Sequence, residues 1–165
     1  MWIDVLDAQE ARQTLFEKLS RTKSDENYEV RLIIWETREV PIPNGTSMDA
    51  YIRASYQPDG LSVEPIIKET DVHRGNKNGR ALFNWRMLFR IGQDEFPRLK
   101  LQIFDSGLGG SEAIGELTLN LSTSLKLLQK VGVLEDNKIW IEFANPQKGN
   151  APAGYCLVQL QILYD

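Results

Sequence analysis

The sequence predicts an all-β fold: an eight-stranded antiparallel β-sandwich preceded by one N-terminal helix. Two observations carry this. From Tyr28 onward apolar residues recur with period two, and the alternating stretches are separated by turn-rich punctuation such as "IPNGTS", "QPDG", "GNKNG" and "SGLGGS". A third observation bounds it. With 165 residues, 42% hydrophobic and 25% charged, the chain is long enough for one domain with a buried core. No apolar run approaches the roughly 20 residues that span a bilayer.

The elements follow in order. "WIDVL" is a short strand-like opening. In "DAQEARQTLFEKLSRT" the period is helical, with Ala8, Ala11, Leu15, Phe16 and Leu19 forming an apolar stripe. Asp7 caps this helix, and Glu10, three residues on, completes a capping-box arrangement. The polar "KSDENY" reads as a linker, so residues 1–27 form a leading segment and 28–165 the domain proper. In "YEVRLIIWET" Val30, Leu32 and Ile34 share one face, and Arg31, Ile33 and Trp35 the other. The same style recurs in "DAYIRASYQ", "PIIKETDVH", "ALFNWRMLFRI", "PRLKLQIFD", "AIGELTLNL", "KIWIEFA" and "YCLVQLQILYD". In the last of these Val158, Leu160 and Ile162 oppose Gln159 and Gln161, the one-dry, one-wet pattern that a two-sheet sandwich requires. Between the sixth and seventh strands "STSLKLLQKVGV" returns to helical spacing, with Leu125, Leu128 and Val131 packing down and Ser122 or Ser124 as cap. Phe83 and Trp85 in "FNWR" read as core, and the other tryptophans as core or partly exposed.

Several function classes drop out. A net charge of −4 argues against bulk nucleic-acid binding, so no nucleic-acid partner is expected. The lone Cys156 lies in an apolar alternating stretch and reads as a buried structural thiol, in keeping with a reducing, cytosolic setting. The one histidine, His73, has no second histidine or cysteine with which to complete a zinc site and no nucleophile partner for a triad. "GNKNG" and "GLGG" do not fit a phosphate-binding fingerprint, and no EF-hand loop is present. The residues suggest no catalytic role.

Three stretches together resemble one family. "VRLIIWETREVP" leads into a loop ending in "SMDAYIRA"; "LKLQIFD" leads into a loop ending in "AIGELTLNL"; between them stands "TDVHRGNKNGRALFNWRMLF". This resembles a C2 domain, and more narrowly one from a ferlin, the large multi-C2 membrane-trafficking proteins. "DAYIR" is similar to the family's Ser-Asp-Pro-Tyr-Val-Lys segment, and "TDVH" followed by "FNWR" to the ferlin wording of the third and fourth strands. The resemblance covers residues 28–165 and implies type II topology, with the permuted strand at the C-terminus. "MWIDVLDAQEA" resembles the segment that precedes such domains in ferlins, which implies a piece of a longer chain.

The resemblance implies a test for calcium. Calcium-binding members supply five acids from two loops, because the ion takes about six to eight oxygens. Here Asp49, Asp105 and Glu112 match three of the five; Pro43, with Asn44 beside it, and Gly107 stand where the other two belong. That set suits at most one weakly held ion and no resident cofactor otherwise. The alternative is that Asp49 and Asp105 hydrogen-bond loop amides and shape the turns.

By the same resemblance Lys68, His73, Arg74, Lys77, Arg80, Arg86 and Arg90 form a basic face for anionic lipid head groups, or else a solvated face paired with Glu64, Glu69 or Asp71. Ile42, Met48 and Leu108 are the loop-tip residues expected to touch the bilayer. Two functions follow. The first is a peripheral module on anionic cytoplasmic membrane surfaces in vesicle trafficking and fusion. The second is a scaffolding domain that contacts other domains of its own chain or trafficking proteins.

Overall fold

Alternation does its work first in β1 (Tyr28–Arg38), where Val30, Leu32 and Ile34 are fully buried. In this computed structural model the described residues are 27–58, 63–92, 97–108, 113–122, 133–135 and 138–164. After β1 come β2 (Met48–Tyr56), β3 (Ile66–Glu69), β4 (His73–Asn76), β5 (Leu82–Ile91) and β6 (Arg98–Asp105). A 3-10 turn, Ser106–Leu108, precedes β7 (Gly115–Asn120), β8 (Val133–Glu135) and β9 (Ile139–Asn145). A second 3-10 turn, Pro146–Lys148, leads into β10 (Ala151–Tyr164). Among the described residues no helix is long and apolar enough to cross a membrane.

The strands form one antiparallel hydrogen-bonded path, β3-β2-β6-β7-β9-β10-β1-β5, with β4 also on β2 and β8 also on β10. The path folds on itself where β7 meets β9 at a single pair, Glu116 and Ala144. Ile52, Leu101 and Ile103 from one half then share a core with Leu32, Phe89 and Val158 from the other. The last strand lies beside the first, with Leu32 opposite Leu160. The crease demands a small residue. A Cβ on Gly115 would lie 2.8 Å from Phe143 Cβ and 3.0 Å from Ala153 Cβ, so a glycine stands there for close approach of the two halves.

The all-β antiparallel sandwich matches the expectation, but the strand count differs. "PIIKETDVH" is not one strand. It breaks into β3 and β4 because Thr70 leaves the ladder: its amide donates to Ile52 O at 2.9 Å, and its hydroxyl accepts from Ile52 N at 3.0 Å while donating to Asp71 O. A further short strand, β8, pairs with β10, which itself starts at Ala151 and not at Tyr155. The strand and helix expected in residues 1–27 lie outside the described residues, as does most of the helix expected over 122–133; its last residue, Val133, instead begins β8. Phe83 is core as expected, whereas Trp85 is 37% exposed. The β1–β5 register slips next to it, where Asn84 takes a φ of 46°.

The end of β1 is gripped tightly. Val40 passes between two left-handed glycines, Gly79 (φ 74°) and Gly154 (φ 91°); a Cβ on either would lie within 2.7 Å of the Val40 amide nitrogen. Thr37 Oγ1 accepts from Ala81 N at 3.1 Å, and Asn76 holds the same corner by accepting from Gly79 N at 2.8 Å and donating to Arg80 O. These contacts fix where the β1–β2 loop leaves the sheet.

Candidate functional site

The β1–β2 loop and the β6–β7 loop open on one rim. Ala50 is paired with Asp105 across the β2–β6 ladder, so Asp49 and Asp105 start and end neighbouring strands at the same end of the sandwich. Asp105 is buried at 4% exposure, and its Oδ1 accepts from Asp49 N and from Gly107 N, each at 3.0 Å. Asp49 Oδ1 accepts from Gly75 N at 2.8 Å, and its Oδ2 lies 3.8 Å from the Arg74 guanidinium. Asn44 Oδ1 accepts from the Thr46 amide at 3.0 Å, the Thr46 hydroxyl at 2.9 Å and the Ser47 amide at 3.2 Å. Each of these oxygens faces backbone, hydroxyl or guanidinium donors and so shapes the loops. A cleft of about 140 Å³ lies among Asn44, Ser47, Asp49, Asp105 and Gly107.

Of the three acids expected, the two described carboxylates supply at most four of the roughly six to eight oxygens that calcium takes, and a guanidinium sits beside one of them. Among the described residues no three His, Cys, Asp or Glu side chains gather around one ion. Glu112 lies outside the described residues.

The loop-tip residues part company. Met48 is buried at 2% exposure in the core, because as the first residue of β2 it takes an inward position of the alternation. It is therefore not a membrane contact. Ile42 is half-buried, packed partly on the core and partly open to the rim. Leu108 closes the turn after Asp105 on the same rim.

The seven cations do not make one face. Lys68 lies opposite the buried Ala54 and stays exposed at the open seam between β3 and β5, its Nζ 5.9 Å from the Phe89 ring centre. His73, opposite Ala50, sets its ring edge-on to Phe83, and its Nδ1 is 3.4 Å from Asn76 Nδ2. Arg74 and exposed Lys77 belong to the rim. Arg80 reaches Glu36 at 3.1 Å, and Arg86 lies opposite Ile33 on the outer side of β5, as Arg90 does opposite Glu29. Period-two reading gave the strand positions; the seam, which sets Lys68 and His73 beside Phe89 and Phe83, is a tertiary feature. The acids paired with arginines also differ: Arg53 holds Glu69 at 3.0 Å, and Glu36 bridges Arg38 and Arg80.

Two features were missed. One is the rim hairpin "NPQKGN", residues 145–150, which carries Lys148. Because β10 runs antiparallel to β1, its start lies at the rim, and counting strand directions would have placed the hairpin there. The other is an apolar outer face on β1, β5, β9 and β10. It displays Leu82, Leu88, Trp140 and Tyr155, with Arg38 stacked 4.8 Å from Trp140 and Lys138 3.8 Å from Trp35.

A family model, the C2 domain, matches residues 28–136. The chain belongs to the C2 domain family. Among curated proteins it is similar to Ferlin 2 of Tetrahymena thermophila, 35% identical over 142 residues, covering 82% of this chain and 8% of the ferlin. It is also similar to Ferlin 1 of Toxoplasma gondii, 29% identical over 148 residues, covering 88% of this chain and 10% of that protein. The C2 domain thus spans about a tenth of the length of these relatives, and its likeness to them makes it a ferlin-type C2 domain. Among solved structures, Extended-Synaptotagmin 2, comprising its SMP domain and two C2 domains, aligns with a TM-score of 0.62 at 10% identity, covering 93% of this chain and 31% of that one. A single C2 domain of a plant Extended Synaptotagmin 1 aligns with a TM-score of 0.54 at 16% identity, covering 83% of this chain and 93% of that one. At such identities these structures attest the fold.

Proposed function

We propose that this C2 domain, residues 28–165, is a non-enzymatic module that docks by its rim onto anionic phospholipid surfaces, with calcium bound weakly or not at all. As part of a longer ferlin-like chain it works in membrane trafficking and vesicle fusion at the cytoplasmic face. The observation that carries this is the use of the rim carboxylates. Asp105 Oδ1 and Asp49 Oδ1 are spent on three backbone amides, and Arg74 neutralises Asp49. A rim already held together in this way needs no ion to order it, and with Asp49 balanced by Arg74 the exposed Lys77 supplies a cation that attracts an anionic leaflet, at roughly 1 kcal/mol per charge. Glu112 stands as the third acid of the degenerate set, and Ile42 and Leu108 as rim apolar contacts. Lys68 and Arg86 lie farther along their strands, the His73 ring packs on Phe83 and Arg80 is paired with Glu36, so these four contribute less.

Co-sedimentation with phosphatidylserine-containing and pure phosphatidylcholine vesicles, in chelator and in calcium, tests the reading. Binding to the anionic vesicles alone, equal in both buffers, is expected. Binding that appears only with calcium contradicts it. A second reading, docking to another domain or a trafficking protein, is favoured by the exposed Leu82, Leu88 and Trp140 on the outer face, apolar residues of the kind that mark interfaces.

A further inference from the structure

On the outer side of the sheet, where β1, β10 and β9 run side by side, Arg38, Glu39, Trp140 and Tyr155 line a pocket of about 290 Å³. It shares no lining residue with the cleft of Asn44, Asp49 and Asp105. Strand pairing sets its walls. Tyr155 stands between Arg38 on β1 and Glu142 on β9, while Trp140 pairs with Leu157, two positions along β10. The two rings are thus diagonal neighbours, a placement that sets Cβ atoms about 7 Å apart and leaves room for a side chain between them. Trp140 is 42% exposed and Tyr155 37%, so the aromatic pair is open. The Tyr155 hydroxyl donates to the Glu142 carboxylate, and that bond, with a smaller push from Glu39, raises the phenol above its ordinary value; both acids therefore act on the pocket. Neither acid is in an ion pair among the described residues. Arg38, the cation lining the pocket, is bound at 3.2 Å to Glu36, which it shares with Arg80.

We propose that this pocket seats an arginine or lysine side chain from a basic segment of a protein partner, its cation against Trp140 and Tyr155 and its charge met by Glu39 and Glu142. The proposal rests on the second reading above, protein docking on the outer face, and goes further by naming the partner's chemistry. Tryptophans of this chain already take cations: Arg38 lies 4.8 Å from the Trp140 ring centre and Lys138 3.8 Å from that of Trp35. The pocket is also built in advance. Glu39 holds φ 57°, a left-handed backbone that glutamate seldom adopts, where Gly154 packs against it; a Cβ at Gly154 would lie 2.6 Å from Arg38 O and 2.8 Å from Glu39 C. Groups fixed beforehand lose little freedom on binding. A guanidinium stacks on an aromatic face while its edges bond carboxylates, so arginine suits the site better than lysine. An anionic segment would find only Arg38 to meet it, and Glu36 already holds that group.

The test uses the whole chain with nitrogen-15-labelled tryptophan, the Trp140 indole signal being the one that Trp140→Phe removes. It is titrated with acetyl-Ser-Arg-Ser-Arg-Ser-amide, and with the same peptide carrying citrulline or glutamate for arginine. The arginine peptide is expected to shift the Trp140 signal and to bind about fivefold more tightly than its citrulline counterpart. Glu39→Gln is expected to weaken it about threefold, and Glu39→Gln with Glu142→Gln about tenfold, while Lys100→Gln on β6 leaves it unchanged. If the citrulline or glutamate peptide binds as tightly, or the double variant binds the arginine peptide undiminished, the cation assignment is overturned and docking on this face stands. If phosphocholine shifts the signal and the arginine peptide does not, the ligand is a lipid head group and the protein assignment is overturned. If no probe moves it, the pocket assignment and the docking reading at Trp140 fail together.

Discussion

Replacing Asp105 with alanine separates a structural carboxylate from a metal ligand, because the two roles predict opposite signs. Asp105 Oδ1 accepts from the Asp49 and Gly107 amides, both at 3.0 Å, from a side chain that is almost wholly buried. Gly107 is exposed, so its N–H regains water at little cost; the Asp49 N–H, on a half-buried residue at the start of β2, regains it less readily. Leaving one such donor unpaired and losing a charge-assisted bond costs about 1–3 kcal/mol. For a chain of this size each kcal/mol lowers Tm by about 2–4 °C, so Asp105→Ala is expected to melt about 2–12 °C lower in chelator. Asp105→Asn keeps an acceptor oxygen in place and is expected to lose less than half as much. An acid held in a ligand cluster behaves the other way: removing it relieves like-charge repulsion, and the ion-free protein becomes more stable. Thermal unfolding in chelator, followed by circular dichroism, decides. A rise in Tm for Asp105→Asn, together with loss of any calcium-induced stabilisation, would refute the structural role.

Gly115→Ala places a methyl against Phe143 and Ala153 at the crease between the two halves and is expected to cost about 1–3 kcal/mol in urea denaturation; a change within about 0.5 kcal/mol would show that the crease relaxes freely. Burial pushes the Cys156 thiol up to about 12, so it is expected to resist thiol reagents at pH 8 until the protein unfolds. The sign on stability follows: between pH 9 and 12 the unfolded thiol has ionised and the folded one has not. Wild-type stability, measured against a Cys156→Ala variant, should therefore fall as pH rises through that window, by up to about 1.4 kcal/mol per unit; a flat difference would place the thiol in contact with water.

The sandwich was legible because Val30, Leu32, Ile34 and Val158, Leu160, Ile162 obey a period that burial alone imposes. The shared rim was legible too, through the positions of Asp49 and Asp105 relative to their strands. What the pattern concealed was contact. Arg74 meets Asp49, 25 residues away in sequence, only because β4 lies on β2, and that pairing depends on Thr70 breaking the third strand. Met48 reads as a tip residue until the first position of β2 is seen to point inward. Lys68 and His73 look like surface cations on a strand, yet the open seam draws one toward Phe89 and the other toward Phe83. Register and seam are properties of strands in partnership, and period-two spacing within one strand does not encode them.

Calorimetric titration of calcium into the chain tests most directly whether the rim acids serve the fold in place of an ion. Weak heats with a Kd above about 1 mM, or none, are predicted. Two ions taken up at micromolar calcium, with heats abolished by Asp49→Asn or Asp105→Asn, would contradict it.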